Sequence, residues 1–182
     1  DNKINHVNGK VDPLSDIEVI ETELLLSDID TLERRRGKLQ KQIKSGDQKD
    51  KALLELLEKL IQHCSNGKRA ETYEIEKDFL WFKKSLHLLT DKPILYVGNI
   101  GETDLQDENV SKHTKNLTEY VKNQNNSIIF LCASLEQEIS LLSKDEQKMF
   151  LSEYNLKEPG LNKVIRTSFN LLGLHTFFTC GE

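Results

Sequence analysis

The first half of the chain carries hydrophobic residues at helical spacing. A stripe from Ile17 to Leu32, continued by Leu39 and Ile43, predicts a helix from about Ser15 to Lys44. A second stripe from Leu53 to Cys64 predicts another helix, which Asn66-Gly67 ends. Two long amphipathic helices joined by a short loop are expected to pack as an antiparallel, coiled-coil-like hairpin.

A third helix is predicted to pack on this hairpin. Ile75, Phe79, Phe82 and Leu86 recur at helical spacing. Among the neighbouring aromatic residues, Phe79 and Phe82 are interpreted as core and Trp81 as a cap on the hairpin, with a base-stacking role as the alternative.

The second half alternates between short apolar runs and helical patterns. The runs Ile94–Val97, Ser127–Leu131 and His175–Thr179 are bounded by turn residues and predict buried parallel strands. The helical patterns between them cover residues 111–123, 135–142, 144–154 and 159–172. A further extended piece is predicted at Ile4–Val7. The chain is therefore predicted to be an α/β fold with a parallel sheet, interrupted by an all-α helical hairpin.

Composition narrows the function classes. The chain has 182 residues, of which 37% are hydrophobic and 30% are charged, and a net charge of -5. These values predict a globular protein that does not bind polyanions through its overall charge. No apolar run is long enough to span a membrane, and no secretory leader is visible. Cys64, Cys132 and Cys180 lack metal-ligand spacing and are expected to be free thiols in the cytoplasm.

Candidate chemistry follows the strand predicted at Ile94–Val97. The sequence Asn99-Ile100-Gly101-Glu102 resembles the Asn-Lys-x-Asp motif with which P-loop GTPases recognise guanine. Ligands bind at the carboxyl edge of parallel sheets, where this motif would lie. Glu102 replaces the Asp that accepts hydrogen bonds from guanine, and this change makes adenine plausible.

A second loop is predicted to contact the same base. Cys132-Ala133-Ser134 follows the strand Ser127–Leu131, where P-loop GTPases carry a Ser-Ala-Lys-type loop. The alternative for these residues is an ordinary small-residue turn that opens a helix.

Four longer segments resemble the YchF, or Obg-like ATPase, family. They are Val11 to Leu24, Lys92 to Asn99, Glu158 to Arg166, and His175 to Gly181. The resemblance is collinear and covers nearly the whole chain.

The resemblance implies a nucleotide-binding domain in residues 1–25 and 89–182 with a helical A domain inserted at 26–88. It implies that the complete protein associates with the ribosome and hydrolyses ATP, with GTP possible and Mg²⁺ required. It assigns the base site to six residues of this chain. Asn99 would contact the adenine edge, the Ile100 backbone would contact the base, and Glu102 would complete the motif through the loop. The other side of the base would be lined by Cys132, Ala133 and Ser134.

The chain departs from the complete family pattern. No Gly-x-x-x-x-Gly-Lys-[Ser/Thr] phosphate-binding motif occurs in the 182 residues, and no metal ligand or catalytic residue is assigned. The chain is therefore interpreted as an internal region without the P-loop and TGS domain, and it is expected to be inactive alone.

A basic segment near the end of the first predicted helix suggests ribosome or RNA contact through phosphates. The alternative is a solvated helix end that the helix dipole favours. Its residues are Arg34, Arg35, Arg36, Lys38, Lys41 and Lys44.

Two other functions remain open. One is a non-catalytic helical module that binds the ribosome, RNA or a partner protein. The other is a GTP-binding protein with relaxed base specificity. Neither membrane binding nor sequence-specific DNA recognition is expected, and the sequence does not fix the oligomeric state.

Overall fold

The computed structural model describes residues 11–43, 48–106 and 111–180. The chain divides into two compact units. Leu14–Pro93 form one, here called the helical unit. The chain up to Pro13 and from Ile94 onward forms the other, here called the α/β unit. The predicted strand at Ile4–Val7 lies outside the described residues.

Two long helices dominate the helical unit. Helix α1 spans Pro13–Gln42 and begins at a proline, whose missing N–H is tolerated in the first turn. Helix α2 spans Gln48–Ser65, and Gly67 follows it with a positive φ of 74°. Both predicted helices are thus present, with α1 beginning two residues earlier than expected.

The core of the helical unit contains residues of both helices and of the segment that follows them. Leu32 and Leu39 of α1, Leu57 and Leu60 of α2, and Phe82 belong to one cluster of buried side chains. Phe79 packs against this cluster, so the prediction that Phe79 and Phe82 are core residues is confirmed.

The predicted continuous third helix is wrong. Residues 70–85 instead form two short 3₁₀ turns, Ala70–Thr72 and Lys77–Phe79, and a six-residue helix α3, Leu80–Ser85. The backbone groups of this segment have partners elsewhere: the Ala70 N–H donates to Thr90 Oγ1 at 3.0 Å, and the Tyr73 carbonyl accepts from Lys83 Nζ at 3.4 Å. Within the predicted helix itself, Glu76 has extended backbone angles, φ -62° and ψ 143°, which interrupt the helix that the spacing of the apolar residues suggested.

A parallel two-stranded sheet lies in the α/β unit. Strand β1, Leu95–Asn99, pairs with strand β2, Ser127–Leu131, so that Leu95 lies opposite Ser127 and Asn99 opposite Leu131. Gly98 lies opposite Phe130 in this register, and a side chain at Gly98 would collide with the Phe130 ring.

Five helices of the described residues accompany the sheet. They are α4 (Glu102–Gln106), α5 (Lys112–Asn123), α6 (Ala133–Leu141), α7 (Lys144–Glu153) and α8 (Gly160–Leu171). Ser143 and Glu146 form a capping box at the start of α7, and their hydrogen bonds lower the pKa of the Glu146 carboxyl. The four predicted helices of this region are present; α4 was not predicted.

The predicted strand at His175–Thr179 is wrong for the described residues. The segment has no strand geometry, and Phe177 and Phe178 are exposed. A strand requires a neighbouring strand to pair its backbone, and none lies beside this segment in the described part of the chain. The described fold is thus rich in helix, with one small parallel sheet.

Within the described residues, no helix is both long enough and apolar enough to cross a membrane.

Candidate functional site

The two predicted base-contacting loops meet at the carboxyl edge of the sheet. Asn99 is the last residue of β1, and α4 begins three residues later at Glu102. Cys132 follows β2, and α6 begins at Ala133. Because the strands are parallel and in register, both loops emerge at the same edge.

A direct hydrogen bond joins the loops. The backbone N–H of Ala133 donates to Asn99 Oδ1 at 3.0 Å. The Ile100 N–H donates to the Leu131 carbonyl at 2.9 Å and extends the strand pairing by one step. The Asn99 side chain therefore fixes the distance between the end of β1 and the start of α6.

A second set of contacts involves the acidic residue of the motif. The Ser134 hydroxyl donates to Glu102 Oε1 at 3.4 Å and lies 3.0 Å from Cys132 Sγ. Cys132 is buried, whereas Glu102, Ala133 and Ser134 are exposed. All six predicted base-contact residues therefore lie in one hydrogen-bonded constellation formed by two loops.

The Asn99 amide leaves hydrogen-bond donors at this edge. Asn99 is exposed, and because its Oδ1 accepts from Ala133, the amide Nδ2 with its two N–H groups remains the part that can reach a base. The Glu102 carboxylate accepts from the Ser134 hydroxyl, so one of its oxygens already has a partner within the site.

Tyr154 is a neighbour of this site that the sequence reasoning missed. Burial and then the charge of Glu102 raise the pKa of its hydroxyl, with smaller effects from other groups that include Cys132. Its ring stacks on Phe150 with 4.8 Å between centroids and 27° between planes. No motif in the sequence marked this residue, because its position depends on how α7 packs.

Glu136 is a second missed residue. Its carboxylate accepts from the Gly160 N–H at 2.7 Å and from the Leu161 N–H at 3.0 Å, at the first turn of α8. The N-cap of α8 is Pro159, which provides no side-chain cap. In the sequence, only the proline at the N-cap position, followed by Gly-Leu, indicated that the N–H groups of the first turn of α8 would need an acceptor from elsewhere in the chain.

Other features do not belong to the constellation. A surface cavity of about 550 Å³ is lined by Glu158, by residues of α8 and by residues 174–176, and none of the six residues predicted for the base site lines it. In the described part of the chain, no group of three His, Cys, Asp or Glu residues could hold a metal ion. The three cysteines are free thiols, as predicted.

The predicted basic segment lies on α1 in the helical unit. Arg34 pairs with Asp30 at 3.1 Å and Arg36 with Glu33, while the Arg35 guanidinium lies over the Phe82 ring, 5.6 Å from its centroid. Lys38 and Lys41 are exposed, and Lys44 lies outside the described residues.

Relatives of known name match the whole chain. It is 41% identical over 182 residues to the protein named ribosome-binding ATPase YchF of Bacillus subtilis, covering 100% of this chain and 50% of that protein. It is 38% identical over 184 residues to the protein of the same name from Mycoplasma pneumoniae, covering 100% of this chain and 51% of that protein. The chain thus spans about half the length of these relatives.

A solved structure agrees. The fold matches that of the Schizosaccharomyces pombe YchF GTPase with a TM-score of 0.84 at 26% identity, over 100% of this chain and 50% of that one. No protein-family model matches the chain.

Proposed function

Because the chain belongs to the YchF family, we propose that it supplies the base-recognising part of a nucleotide-binding domain whose preferred nucleotide is ATP. The observation that carries this proposal is the constellation at the edge of the sheet, in which the Ala133 N–H donates to Asn99 Oδ1 and the Ser134 hydroxyl donates to Glu102. In the proposed complex, Asn99 Nδ2 and the Ile100 backbone contact adenine. Cys132, Ala133 and Ser134 line the opposite side of the base.

The preference for adenine rests on where Glu102 is directed. Guanine recognition by a carboxylate requires two acceptor oxygens facing N1–H and the 2-amino group. One Glu102 oxygen already accepts from the Ser134 hydroxyl, so the carboxylate does not offer both oxygens to guanine. Adenine N1 is itself an acceptor, to which a carboxylate could not bond. Glu102 therefore acts on the base through the geometry of the loop. The names of the relatives differ on the nucleotide, ATPase in the bacteria and GTPase in the yeast, so the choice of base is a point to test.

We propose ATP hydrolysis for the complete protein only. The phosphate-binding motif does not occur among the 182 residues, and we assign no catalytic residue and no Mg²⁺ ligand to them. In this proposal residues 1–25 and 89–182 belong to the nucleotide-binding domain, residues 26–88 form the inserted helical domain, and the protein acts in the cytoplasm.

A second proposed function belongs to the helical unit. The bacterial relatives carry ribosome-binding in their names. Helix α1 has six acidic and no basic residues in its segment 13–30, but five basic and no acidic residues in 34–41. Arg34 and Arg36 pair with Asp30 and Glu33, so the local positive surface on this chain of net charge -5 comes from Arg35, Lys38 and Lys41. We propose that the basic segment contacts ribosomal RNA.

Nucleosides lack phosphate groups, so they test the base preference without requiring a phosphate-binding motif. Adenosine is expected to bind the chain more tightly than guanosine in a titration followed by calorimetry or NMR. Asn99→Ala is expected to weaken adenosine binding, because it removes both the loop hydrogen bond and the donors for the base. Glu138→Gln, a change at an exposed acid on α6, is the matched control and should leave binding unchanged. A preference for guanosine in the unaltered chain would refute the assignment.

A further inference from the structure

Trp81 is held in place although most of its surface is exposed. The side chain lies on α3 and is 61% exposed, so it does not cap the hairpin as the sequence suggested. Its ring packs edge-to-face on Phe82, with 5.6 Å between centroids and 71° between planes, and Phe82 is completely buried. The indole is therefore positioned by a rigid core residue while its own surface stays open to solvent.

One cationic side chain lies against the same aromatic pair, and two more follow at helical spacing. The Arg35 guanidinium lies 5.6 Å from the centroid of the Phe82 ring, so Arg35 and Trp81 share one neighbour. Lys38 follows Arg35 by three residues on α1, and Lys84 follows Trp81 by three on α3. Residues three apart on a helix lie on the same side, and both lysines are exposed. Arg35, Lys38, Trp81 and Lys84 are here called the Trp81 patch.

The composition of the Trp81 patch fits one class of ligand. An exposed aromatic ring flanked by cations is how proteins bind single-stranded nucleic acid: the bases stack on the ring and the cations contact the phosphates. Between Arg34 and Lys41, helix α1 has five basic residues and no acidic one, although Glu33 directly precedes them and pairs with Arg36. A purely apolar protein partner would leave these cations without a complementary charge.

We propose that the Trp81 patch binds an unpaired base of RNA, which stacks on the Trp81 indole while Arg35, Lys38 and Lys84 contact the flanking phosphates. The proposal deepens the proposed contact between the basic segment and ribosomal RNA, and rests on it. It adds a specific stacking residue and specifies single-stranded RNA as the form that is bound.

The fluorescence of Trp81 provides a direct readout, since the sequence contains only one tryptophan. Titration of the chain with an unstructured RNA of about 12 nucleotides, a length within the usual site sizes of single-strand-binding proteins, is expected to quench its emission. Heparin, a polyanion without bases, is expected to compete for the cations but to leave the emission nearly unchanged. Equal quenching by heparin, or RNA binding without quenching, would overturn the stacking proposal.

Substitutions of Trp81 measure the contribution of stacking to RNA affinity separately from the contribution of the charged residues. Trp81→Ala is expected to weaken RNA binding at least about fivefold, as measured by the anisotropy of a labelled RNA, whereas Trp81→Phe should retain most of the affinity. Leu141→Ala, a change at an exposed apolar residue of the α/β unit, is the matched control. Circular dichroism shows whether each variant is folded. If Trp81→Ala leaves the affinity for RNA unchanged, the proposal is wrong, and the exposed indole would then be expected to contact a protein partner.

Salt dependence tests the phosphate contacts. Each lost phosphate contact should lower the slope of log K against log[salt] by about 0.7 for a single strand. Arg35→Gln is expected to show this change and Lys148→Gln, at an exposed lysine of α7, is not. Absence of any RNA binding by the unaltered chain would reject both this proposal and the proposed ribosomal RNA contact, whereas binding that does not involve Trp81 would reject only the former.

Discussion

The Asp28 carboxylate accepts hydrogen bonds from both the backbone and the side chain of Thr90. Asp28 Oδ2 accepts from the Thr90 N–H and from the Thr90 hydroxyl, each at 2.7 Å, and Asp28 Oδ1 accepts from the Leu89 N–H at 2.7 Å. Asp28 is only 2% exposed. The two partners lie 62 positions apart in sequence. Their contact therefore joins helix α1 to the segment at which the chain leaves the helical unit.

Loss of the Asp28 charge is predicted to destabilise the helical unit strongly. In Asp28→Asn the amide nitrogen would face backbone N–H donors, leaving at least one buried donor without an acceptor. We expect a cost of about 3 kcal/mol in the free energy of unfolding, measured by urea denaturation. Asp30→Asn is the control, because the Asp30–Arg34 ion pair is exposed and contributes at most about 1 kcal/mol. Equal effects of the two substitutions would contradict the structural role of Asp28.

A side chain at position 98 is predicted to be tolerated only if Phe130 is shortened. Gly98→Ala places a methyl group into the Phe130 ring across the parallel pair, so the ring must move. We expect a loss of about 1–3 kcal/mol in stability, the usual cost of overpacking. Phe130→Leu in the same chain should recover part of that loss. If the double variant is as unstable as the sum of the two single variants, the steric explanation is wrong.

Glu136 is predicted to stabilise the start of α8. Its carboxylate accepts two hydrogen bonds from the first turn of that helix, where a negative charge is also favourable. Glu136→Gln keeps one acceptor but removes the charge, and we expect a loss of about 1–2 kcal/mol in chemical denaturation. Glu138→Gln, on the same helix but exposed, should have little effect. Hydrogen exchange at the Gly160 and Leu161 amides should become faster only in the Glu136 variant.

Cys64 is predicted to make stability depend on pH in the alkaline range. Burial, followed by the charge of Asp28, raises the pKa of the thiol from 9.0 to about 11, against an opposing effect of Lys83. In the unfolded chain the thiol ionises at its ordinary pKa. Its contribution to stability is therefore fully present below pH 9.0 and is lost as the pH rises to about 11.

The difference between the chain and its Cys64→Ala variant isolates this effect. Urea denaturation at about pH 8 and about pH 11 should show that the unaltered chain loses roughly 2–3 kcal/mol more than the variant. Identical pH dependence in the two proteins would show that the Cys64 thiol ionises equally well in the folded and unfolded states.

Regular elements and the meeting of two loops could be predicted from the sequence. The apolar stripe of α2 and the run Ser127–Leu131 are local patterns with one dominant reading, and both elements are present. Once β1 and β2 are taken as parallel neighbours, Asn99 and Ala133 must emerge at the same edge. That topology brings the two residues close enough for the hydrogen bond that joins them.

Contacts between distant segments could not be predicted in this way. Asp28 occupied a core-facing position of a helical stripe, but nothing in the pattern indicated that its partner would be Thr90. The spacing of Ile75, Phe79 and Phe82 imitated a helix because irregular turns also direct apolar residues to a core. The run His175–Thr179 had strand composition, yet a strand forms only beside a partner, which composition does not provide.

The central claim is that a nucleotide base sits between the Asn99 and Ala133 loops, and amide chemical shifts test it most directly. Adenosine added to the isotope-labelled chain is predicted to shift the N–H signals of Ile100, Ala133 and Ser134, with smaller shifts from guanosine and in the Asn99→Ala variant. Adenosine shifts confined to other parts of the chain, or shifts of the same size in Asn99→Ala, would contradict the account.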